Sequence, residues 1–209
     1  MTASAGIEAA MEEPAFPVRC GVFVAVVGPS GAGKDTLIDH ARARLGAGDD
    51  VVFVRRIITR QADPAAEDHD TLDTDAFEAA RRDGCFAVDW QANGLSYALP
   101  ADIDGVVRAG RVAVANVSRA AVPALRRRYR NVLVVLVTAP AEVLADRLAR
   151  RGRESRAAVL ERLERGRAPA LAVDGATVID NSGAPEEAGR RFLAALRRAV
   201  AWSALSDQV

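Results

Sequence analysis

The segment GPSGAGKDTL, residues 28–37, has the residue types and the spacing that bind a nucleotide phosphate. Its glycines and Lys34 match a phosphate-binding loop, in which backbone N–H groups surround phosphate oxygens and the lysine reaches the β- and γ-phosphates. The usual motif continues with a Ser or Thr that ligates Mg²⁺, whereas this chain has Asp35 there and Thr36 one residue later. We therefore predict that the nucleotide is bound by Gly28, Pro29, Ser30, Gly31, Ala32, Gly33, Lys34, Asp35 and Thr36.

Two residues of this loop are candidate Mg²⁺ ligands. Mg²⁺ accepts carboxylate oxygens directly or through water, so Asp35 can take the place of the missing hydroxyl. Alternatively, Asp35 only stabilises the first turn of the following helix, where a negative charge favours the helix dipole, and Thr36 is the ligand. The sequence leaves both alternatives open, with ATP and Mg²⁺ as the expected cofactors.

Lys34 is unusual in the composition of the chain. The sequence has 28 basic residues, and Lys34 is the single lysine among them, all the others being arginine. A compact ammonium on a flexible stem suits a phosphate at close range better than a planar guanidinium does. The position of this lysine strengthens the prediction of a phosphate-binding loop and of a catalytic role for Lys34.

The overall composition indicates a globular protein and gives no sign of nucleic acid or a membrane as a partner. At 209 residues, of which 50% are hydrophobic, the chain suits one domain with a substantial core. Its 28 acidic residues balance its 28 basic residues, so no overall charge attracts nucleic acid or an anionic membrane. No apolar run approaches the ~20 residues that span a bilayer. Whether the chain forms a homodimer stays open.

Two further features bear on where the protein works. Cys20 and Cys85 have neither metal-ligand spacing nor the pattern of a disulfide framework, which favours a reducing cytoplasm. Residues 1–20 are small and acidic, without the basic start and apolar core of a signal peptide. We expect them to be a mobile extension before a single domain at 21–209.

The loop belongs to a chain in which strands alternate with helices. Apolar, β-branched runs predict strands at 21–27, Val51–Val54, Val112–Val117, Val132–Thr138 and Ala176–Ile179. Helical patterns cover Lys34 to about Leu45, Thr74–Arg82, Ala120–Arg128, Ala141–Arg150 and Pro185–Trp202. This alternation predicts an α/β fold in which helices cover both faces of a parallel sheet. A polar, turn-rich insertion at about 58–99 is expected over the carboxyl edge of the sheet.

Four segments occur in the order seen in guanylate kinases. The segments GPSGAGKDTL, ITRQADPAAEDHD, FAVDWQANGLSYALP and RLARRGRES resemble the loop, the phosphate motif, the acceptor turn and the arginine-rich lid of guanylate kinase-like P-loop kinases. The chain departs from guanylate kinases where those enzymes recognise GMP. Asp63 stands in place of a second arginine, and Asp89, Ser96 and Asn116 stand in place of a glutamate, a tyrosine and an acidic residue.

These departures resemble the ribose 1,5-bisphosphate phosphokinases, the phosphonate-pathway branch of the same group. The likeness is carried by GPSGAGKD, ITR, WQANGLSY and NVSRA and extends over about residues 21–182. It implies transfer of the γ-phosphoryl group of ATP to the 1-phosphate of ribose 1,5-bisphosphate, which forms 5-phosphoribosyl 1-diphosphate. The alternatives are a guanylate kinase, another small-metabolite kinase, or an inactive guanylate kinase-like binding module.

An acceptor that carries two phosphates and no base needs cations and hydroxyls around it. Arg60, with Thr59 beside it, begins the insertion and is a candidate for a substrate phosphate, because arginine binds phosphate in a bidentate manner. Asp89, Asn93 and Tyr97 can hydrogen-bond the ribose hydroxyls, or they can equally be turn-forming residues.

The segment NVSRA follows a predicted core strand, at the edge where α/β sheets present ligand-binding groups. Asn116, Ser118 and Arg119 are therefore candidate substrate-binding residues. Arg119 alternatively does no more than begin the next helix.

An arginine-rich lid is expected at about 147–168. Arg147 and Arg151 are four residues apart and share one helical face, and Arg162 follows one helix later. In this class of kinases such arginines close over the phosphates, neutralise charge in the transition state and exclude water. We predict catalytic roles for Arg147 and Arg151 and a substrate-binding role for Arg162.

Overall fold

The computed structural model describes residues 20–46, 50–59, 69–92, 94–150 and 173–206. Within these residues the chain forms a five-stranded parallel sheet, a separate four-stranded sheet and helices that flank the larger sheet. The expected extension at 1–20, apart from Cys20, and the expected lid beyond Arg150 lie outside the described residues.

The larger sheet supplies the framework of the fold. Its strands, numbered along the whole chain, are β1 (Val22–Val27), β2 (Val51–Phe53), β7 (Val112–Asn116), β8 (Val132–Thr138) and β9 (Thr177–Asp180). Their order is β2-β7-β1-β8-β9, and every neighbouring pair is parallel. All carboxyl ends therefore meet at one edge, where such folds bind ligands.

Six α-helices lie within the described residues. They are α1 (Lys34–Arg42), α2 (Thr74–Arg82), α3 (Ile103–Arg108), α4 (Val122–Arg128), α5 (Ala141–Arg150) and α6 (Pro185–Ser206). The predicted α2 and α5 have the observed bounds, whereas α1 ends earlier than expected, at Arg42, and α6 extends to Ser206. The short α3 was not predicted.

Helices cover both faces of the sheet, and the side chains of β1 alternate between the two cores that result. Phe23 and Val27 belong to a core shared with α3, α4 and the smaller sheet. Val22 and Val26 belong to a second core, shared with α1, α5 and α6. Both faces of β1 are fully buried, as the continuous apolar run of this strand predicted.

The described residues of the insertion at 58–99 include strands that the sequence analysis did not predict there. The insertion contains α2 and, with the residues just before it, β3 (Arg56–Ile58), β4 (His69–Thr71), β5 (Phe86–Ala92) and β6 (Leu95–Pro100). The order is β4-β3-β6-β5. Val88, Trp90 and Leu99 pack into the core that contains α3 and α4, which attaches this sheet to the domain. Among the described helices, none is both long and apolar enough to cross a bilayer.

Candidate active site

The phosphate-binding loop occupies the turn between β1 and α1, as predicted. Gly33 has φ +86° and is the N-cap of α1, and Gly31 has φ +83°, so both adopt the left-handed conformation that glycine permits. A side chain at Gly33 would collide with the carboxamide of Asn181. The loop therefore requires glycine here for its backbone conformation and for the close approach of a neighbouring chain segment.

Lys34 folds back over the loop. Its Nζ donates hydrogen bonds to the carbonyl oxygens of Gly28, at 2.9 Å, and Pro29, at 3.0 Å. The ammonium is thereby held at the mouth of the loop, where the phosphates of a nucleotide would enter. Lys34 stays the predicted phosphate-binding cation of the loop.

Asp35 is linked to the carboxyl edge of the sheet. The side-chain amide of Asn116, at the end of β7, donates to Asp35 Oδ1 at 2.6 Å, and Asn116 itself is buried. Thr36, on the next position of α1, is exposed. The hydrogen bond orients the Asp35 carboxylate, and that carboxylate belongs to the first turn of α1, beside the loop.

The donor set around the loop fits a Mg²⁺ ion bound mainly by phosphates. No cluster of three or more His, Cys, Asp or Glu side chains occurs among the described residues, so an all-protein metal cage is absent from that part of the chain. Mg²⁺ in phosphoryl-transfer enzymes is commonly held by one or two carboxylates together with substrate phosphates and water. Asp35 supplies one such carboxylate.

A cleft that is open to solvent lies between the loop and the smaller sheet. The residues that line it are Gly28, Ser30, Lys34, Arg56, Trp90, Ala92, Tyr97, Asn116, Val117 and Ser118. One wall is thus the loop with the end of β7, and the facing wall is made by β3, β5 and β6.

The facing wall contains two groups that sequence reasoning did not select. Arg56 lines the cleft with only 8% of its surface exposed. Trp90 is stacked on Tyr97 with the ring centroids 5.5 Å apart, and its buried Nε1 has no hydrogen-bond partner among the described residues. Trp90 and Tyr97 thus give this wall of the cleft an aromatic surface. The detectable signal for Arg56 was a charged residue inside the apolar run VVFVRRII.

Two of the predicted acceptor-binding residues lie elsewhere. Asp89 alternates with Trp90 on β5, so it is exposed, and it pairs with Arg81 Nε of α2 at 3.1 Å instead of lining the cleft. Thr59 directs its hydroxyl to the backbone of Ser96: Oγ1 accepts from Ser96 N at 2.9 Å and donates to Ser96 O. Through these hydrogen bonds the Thr59 side chain extends the β3–β6 pairing.

The remaining predicted residues are distributed as follows. Asn116, Ser118 and Tyr97 line the cleft, and Ser118 Oγ also accepts from Ala120 N, which begins a 3-10 turn. Arg119 lies in that turn and is not part of the cleft wall. Arg147 contacts the carbonyl side of the loop. The other four, Arg60, Asn93, Arg151 and Arg162, lie outside the described residues.

Comparison with known proteins decides the family. A family model described as an AAA domain matches residues 24–166. The chain is 58% identical over 208 residues to the ribose 1,5-bisphosphate phosphokinase PhnN of Chelativorans sp. (strain BNC1), covering 99% of each chain. It is 51% identical to the protein of the same name from Acidiphilium cryptum (strain JF-5), over 86% of this chain and 94% of that one.

The chain belongs to the ribose 1,5-bisphosphate phosphokinase family. Membership confirms the prediction of a kinase. It also favours the prediction of a ribose 1,5-bisphosphate phosphokinase over the guanylate kinase alternative. The solved guanylate kinase of Anaplasma phagocytophilum matches over 86% of each chain, with a TM-score of 0.61 and 19% identity. This likeness confirms the predicted α/β fold of a P-loop kinase.

Proposed function

We propose that this enzyme transfers the γ-phosphoryl group of ATP to the 1-phosphate of ribose 1,5-bisphosphate, releasing ADP and 5-phosphoribosyl 1-diphosphate. The observation that carries the proposal is the composition of the acceptor wall. Arg56 and the Trp90–Tyr97 pair line the cleft, whereas Asp89, at the position of a guanine-reading acid, is paired with Arg81 outside it. Among the described residues, this wall contributes a cation and no acid to the cleft lining, which suits an anionic sugar better than a purine base.

The donor side of the cleft would hold the triphosphate. Backbone N–H groups of the loop and the N-terminal end of α1 favour phosphate oxygens. When phosphates enter, we expect their oxygens to replace the carbonyls of Gly28 and Pro29 as partners of the Lys34 ammonium. Asp35 would hold Mg²⁺, which when bound neutralises charge on the β- and γ-phosphates.

The acceptor side would hold the sugar bisphosphate between the loop and the smaller sheet. The 1-phosphate has to lie beside the γ-phosphate, and therefore at the Lys34 end of the cleft. The ribose then lies along the aromatic pair, where the Tyr97 hydroxyl can reach its oxygens. We assign the 5-phosphate to Arg56, on the wall that faces the loop.

The reaction needs no nucleophilic side chain. An oxygen of the 1-phosphate attacks the γ-phosphorus, the bond from that phosphorus to the β,γ-bridging oxygen breaks, and ADP leaves with the electron pair. The protein contributes the position of the two reactants and the positive charge that offsets their mutual repulsion. Among the described cations, we expect Lys34, which lines the cleft beside the loop, to stabilise the negative charge as it shifts from the acceptor to ADP.

The decisive experiment is a coupled ADP-release assay with ATP and Mg²⁺ that compares ribose 1,5-bisphosphate with GMP. We expect turnover with the sugar bisphosphate and none with GMP above the background of ATP hydrolysis. Lys34→Ala is the control for the loop, and we expect it to remain folded while turnover falls by at least ~10²-fold. Turnover with GMP alone would mean that a guanylate kinase had been mistaken for its relative, and inactivity with both acceptors would favour a binding module.

A further inference from the structure

A residue that follows β9 and a residue of α5 hold the carbonyl side of the phosphate-binding loop. Asn181 directly follows β9, and its backbone N–H donates to Thr138 O at 2.8 Å, which continues the β8–β9 pairing beyond Asp180. This attachment fixes the backbone of Asn181 to the sheet. We call Asn181 and Arg147 the loop brace.

The side chain of Asn181 makes the central contact of the loop brace. Its Nδ2 donates to Ala32 O at 2.7 Å, and the residue is only 4% exposed. The carboxamide also lies directly against Gly33, since a Cβ at that position would collide with Nδ2. A buried amide in this position has little freedom to move without moving the loop.

This hydrogen bond determines the direction of a phosphate-binding group. In a trans peptide the carbonyl oxygen and the following N–H lie on opposite sides of the peptide plane. Because Ala32 O is directed to Asn181, the N–H of Gly33 is directed away from it. The N–H groups of such a loop are its phosphate ligands, so a fixed carbonyl yields a fixed donor.

Arg147 ties Asn181 to the loop from α5. Its Nη2 donates to Asn181 O at 2.8 Å, and its Nη1 reaches Gly31 O at 3.5 Å. Both polar groups of the Gly31–Ala32 peptide are engaged: the carbonyl oxygen of Gly31 accepts from Arg147, and Ala32 N donates to Pro29 O at 3.2 Å. One guanidinium thus joins two carbonyls on separate segments.

We propose that Asn181 and Arg147 are positioning residues that hold the loop in its phosphate-accepting conformation. Arg147 contacts the carbonyl oxygens of Gly31 and Asn181. These contacts distinguish it from an arginine that closes over the phosphates of the nucleotide. The inference rests on the proposed function only in taking a nucleotide as the ligand of the loop, and it does not depend on the acceptor.

The test for Asn181 is a matched pair of Asn→Asp substitutions. Asn131 is buried like Asn181 and also donates from Nδ2 to a backbone carbonyl, that of Gly21, but it lies at the opposite end of β1. In Asn181→Asp an anionic oxygen faces Ala32 O, so we expect ADP–Mg²⁺ affinity measured by calorimetry to fall about tenfold, the change that about 1.4 kcal/mol produces. The KM for ATP should rise equally, with the KM for the acceptor unchanged. Asn131→Asp should lower the melting temperature without changing ADP–Mg²⁺ affinity.

The test for Arg147 separates a positioning role from a role in the transition state. Arg147→Met keeps the length of the side chain and removes its donors, and we expect it to weaken ADP–Mg²⁺ binding several-fold, with partial recovery in Arg147→Lys. A fall in kcat with unchanged ADP–Mg²⁺ affinity would overturn the proposal for Arg147. Equal losses of affinity in Asn181→Asp and Asn131→Asp would overturn it for Asn181. Calorimetry needs no acceptor, so failure of the proposed reaction leaves both tests valid.

Discussion

At the scale of single residues, the contact between Asp35 and Asn116 favours Asp35 over Thr36 as the proposed metal ligand. Asp35 Oδ1 accepts from Asn116 Nδ2 at 2.6 Å, and Asn116 lines the cleft, whereas Thr36 is exposed. We therefore expect Asp35→Asn, which keeps the shape and removes the charge, to raise the Mg²⁺ concentration for half-maximal activity several-fold. Titration of Mg²⁺ at saturating ATP and acceptor measures this shift.

Two variants control that experiment. Asn116→Ala removes the hydrogen bond but leaves the carboxylate, so we expect a smaller shift in Mg²⁺ dependence than Asp35→Asn gives. Thr36→Ala should leave the dependence unchanged. If Thr36→Ala shifts it and Asp35→Asn does not, Thr36 is the ligand and Asp35 only stabilises the start of α1.

At the scale of elements, β3 explains why one of two adjacent arginines is buried. Arg56 lines the cleft, whereas Arg55, just before the strand, is exposed, with its Nη2 2.9 Å from Asp70 Oδ1. We expect Arg56→Met to lower kcat/KM for ribose 1,5-bisphosphate by about 10- to 100-fold, the loss that one charge-assisted hydrogen bond of about 1.5–3 kcal/mol implies. For ribose 1-phosphate, which lacks the 5-phosphate, kcat/KM should change little.

Arg55→Met is the matched control, because it removes the same side chain from the neighbouring, solvent-facing position. It should leave kcat/KM unchanged for both acceptors. If Arg56→Met reduced kcat/KM equally for the two acceptors, Arg56 would serve the reacting phosphate or the fold, and the assignment of the 5-phosphate would be wrong.

The elements also show which parts of the site the sequence could predict. The loop was predictable because its strand, glycines and helix are contiguous, so local spacing carries the whole signal. The acceptor wall was not, because its strands are short and three of the four come from the segment interpreted as a turn-rich insertion. Without the strand alternation, Asp89 was expected to face the ligand although β5 directs it outward, and Arg56 was not selected. The loop brace depends on Asn181, 148 positions after Gly33 in the sequence, and no local pattern connects them.

At the scale of the whole molecule, the two faces of the sheet have different tasks. The face that packs on α1, α5 and α6 contains the loop brace, whereas α3 and α4, on the other face, are joined by a buried ionic cluster. There Asp104 accepts from Arg128 Nε at 3.0 Å and from Tyr129 Oη at 2.8 Å. None of these three residues lines the cleft. We therefore expect this cluster to stabilise the fold without taking part in catalysis.

The pH dependence of stability should reveal this cluster. Burial opposes ionisation of Asp104, but the hydrogen bonds from Arg128 and Tyr129 outweigh it and lower the pKa of Asp104. Burial raises the pKa of Tyr129, which therefore stays a donor. Because the Asp104 pKa is lower in the folded than in the unfolded chain, the carboxylate stabilises fully above the unfolded value of about 3.8, and this contribution disappears as pH falls through the folded value.

Asp104→Asn should therefore lower the free energy of unfolding by about 1–3 kcal/mol at neutral pH, since it leaves Arg128 without its anionic partner. We expect a smaller loss of unfolding free energy than a fully buried ion pair would give, because the Arg128 side chain is 23% exposed and keeps contact with water. Urea unfolding at pH 7 and near pH 3 measures the change, and the difference between wild type and variant should narrow in acid. Asp102→Asn, the same change at an exposed position two residues earlier, should leave the free energy of unfolding unchanged at both pH values. A difference that stayed constant with pH would show that packing, and not the charge of Asp104, joins α3 to α4.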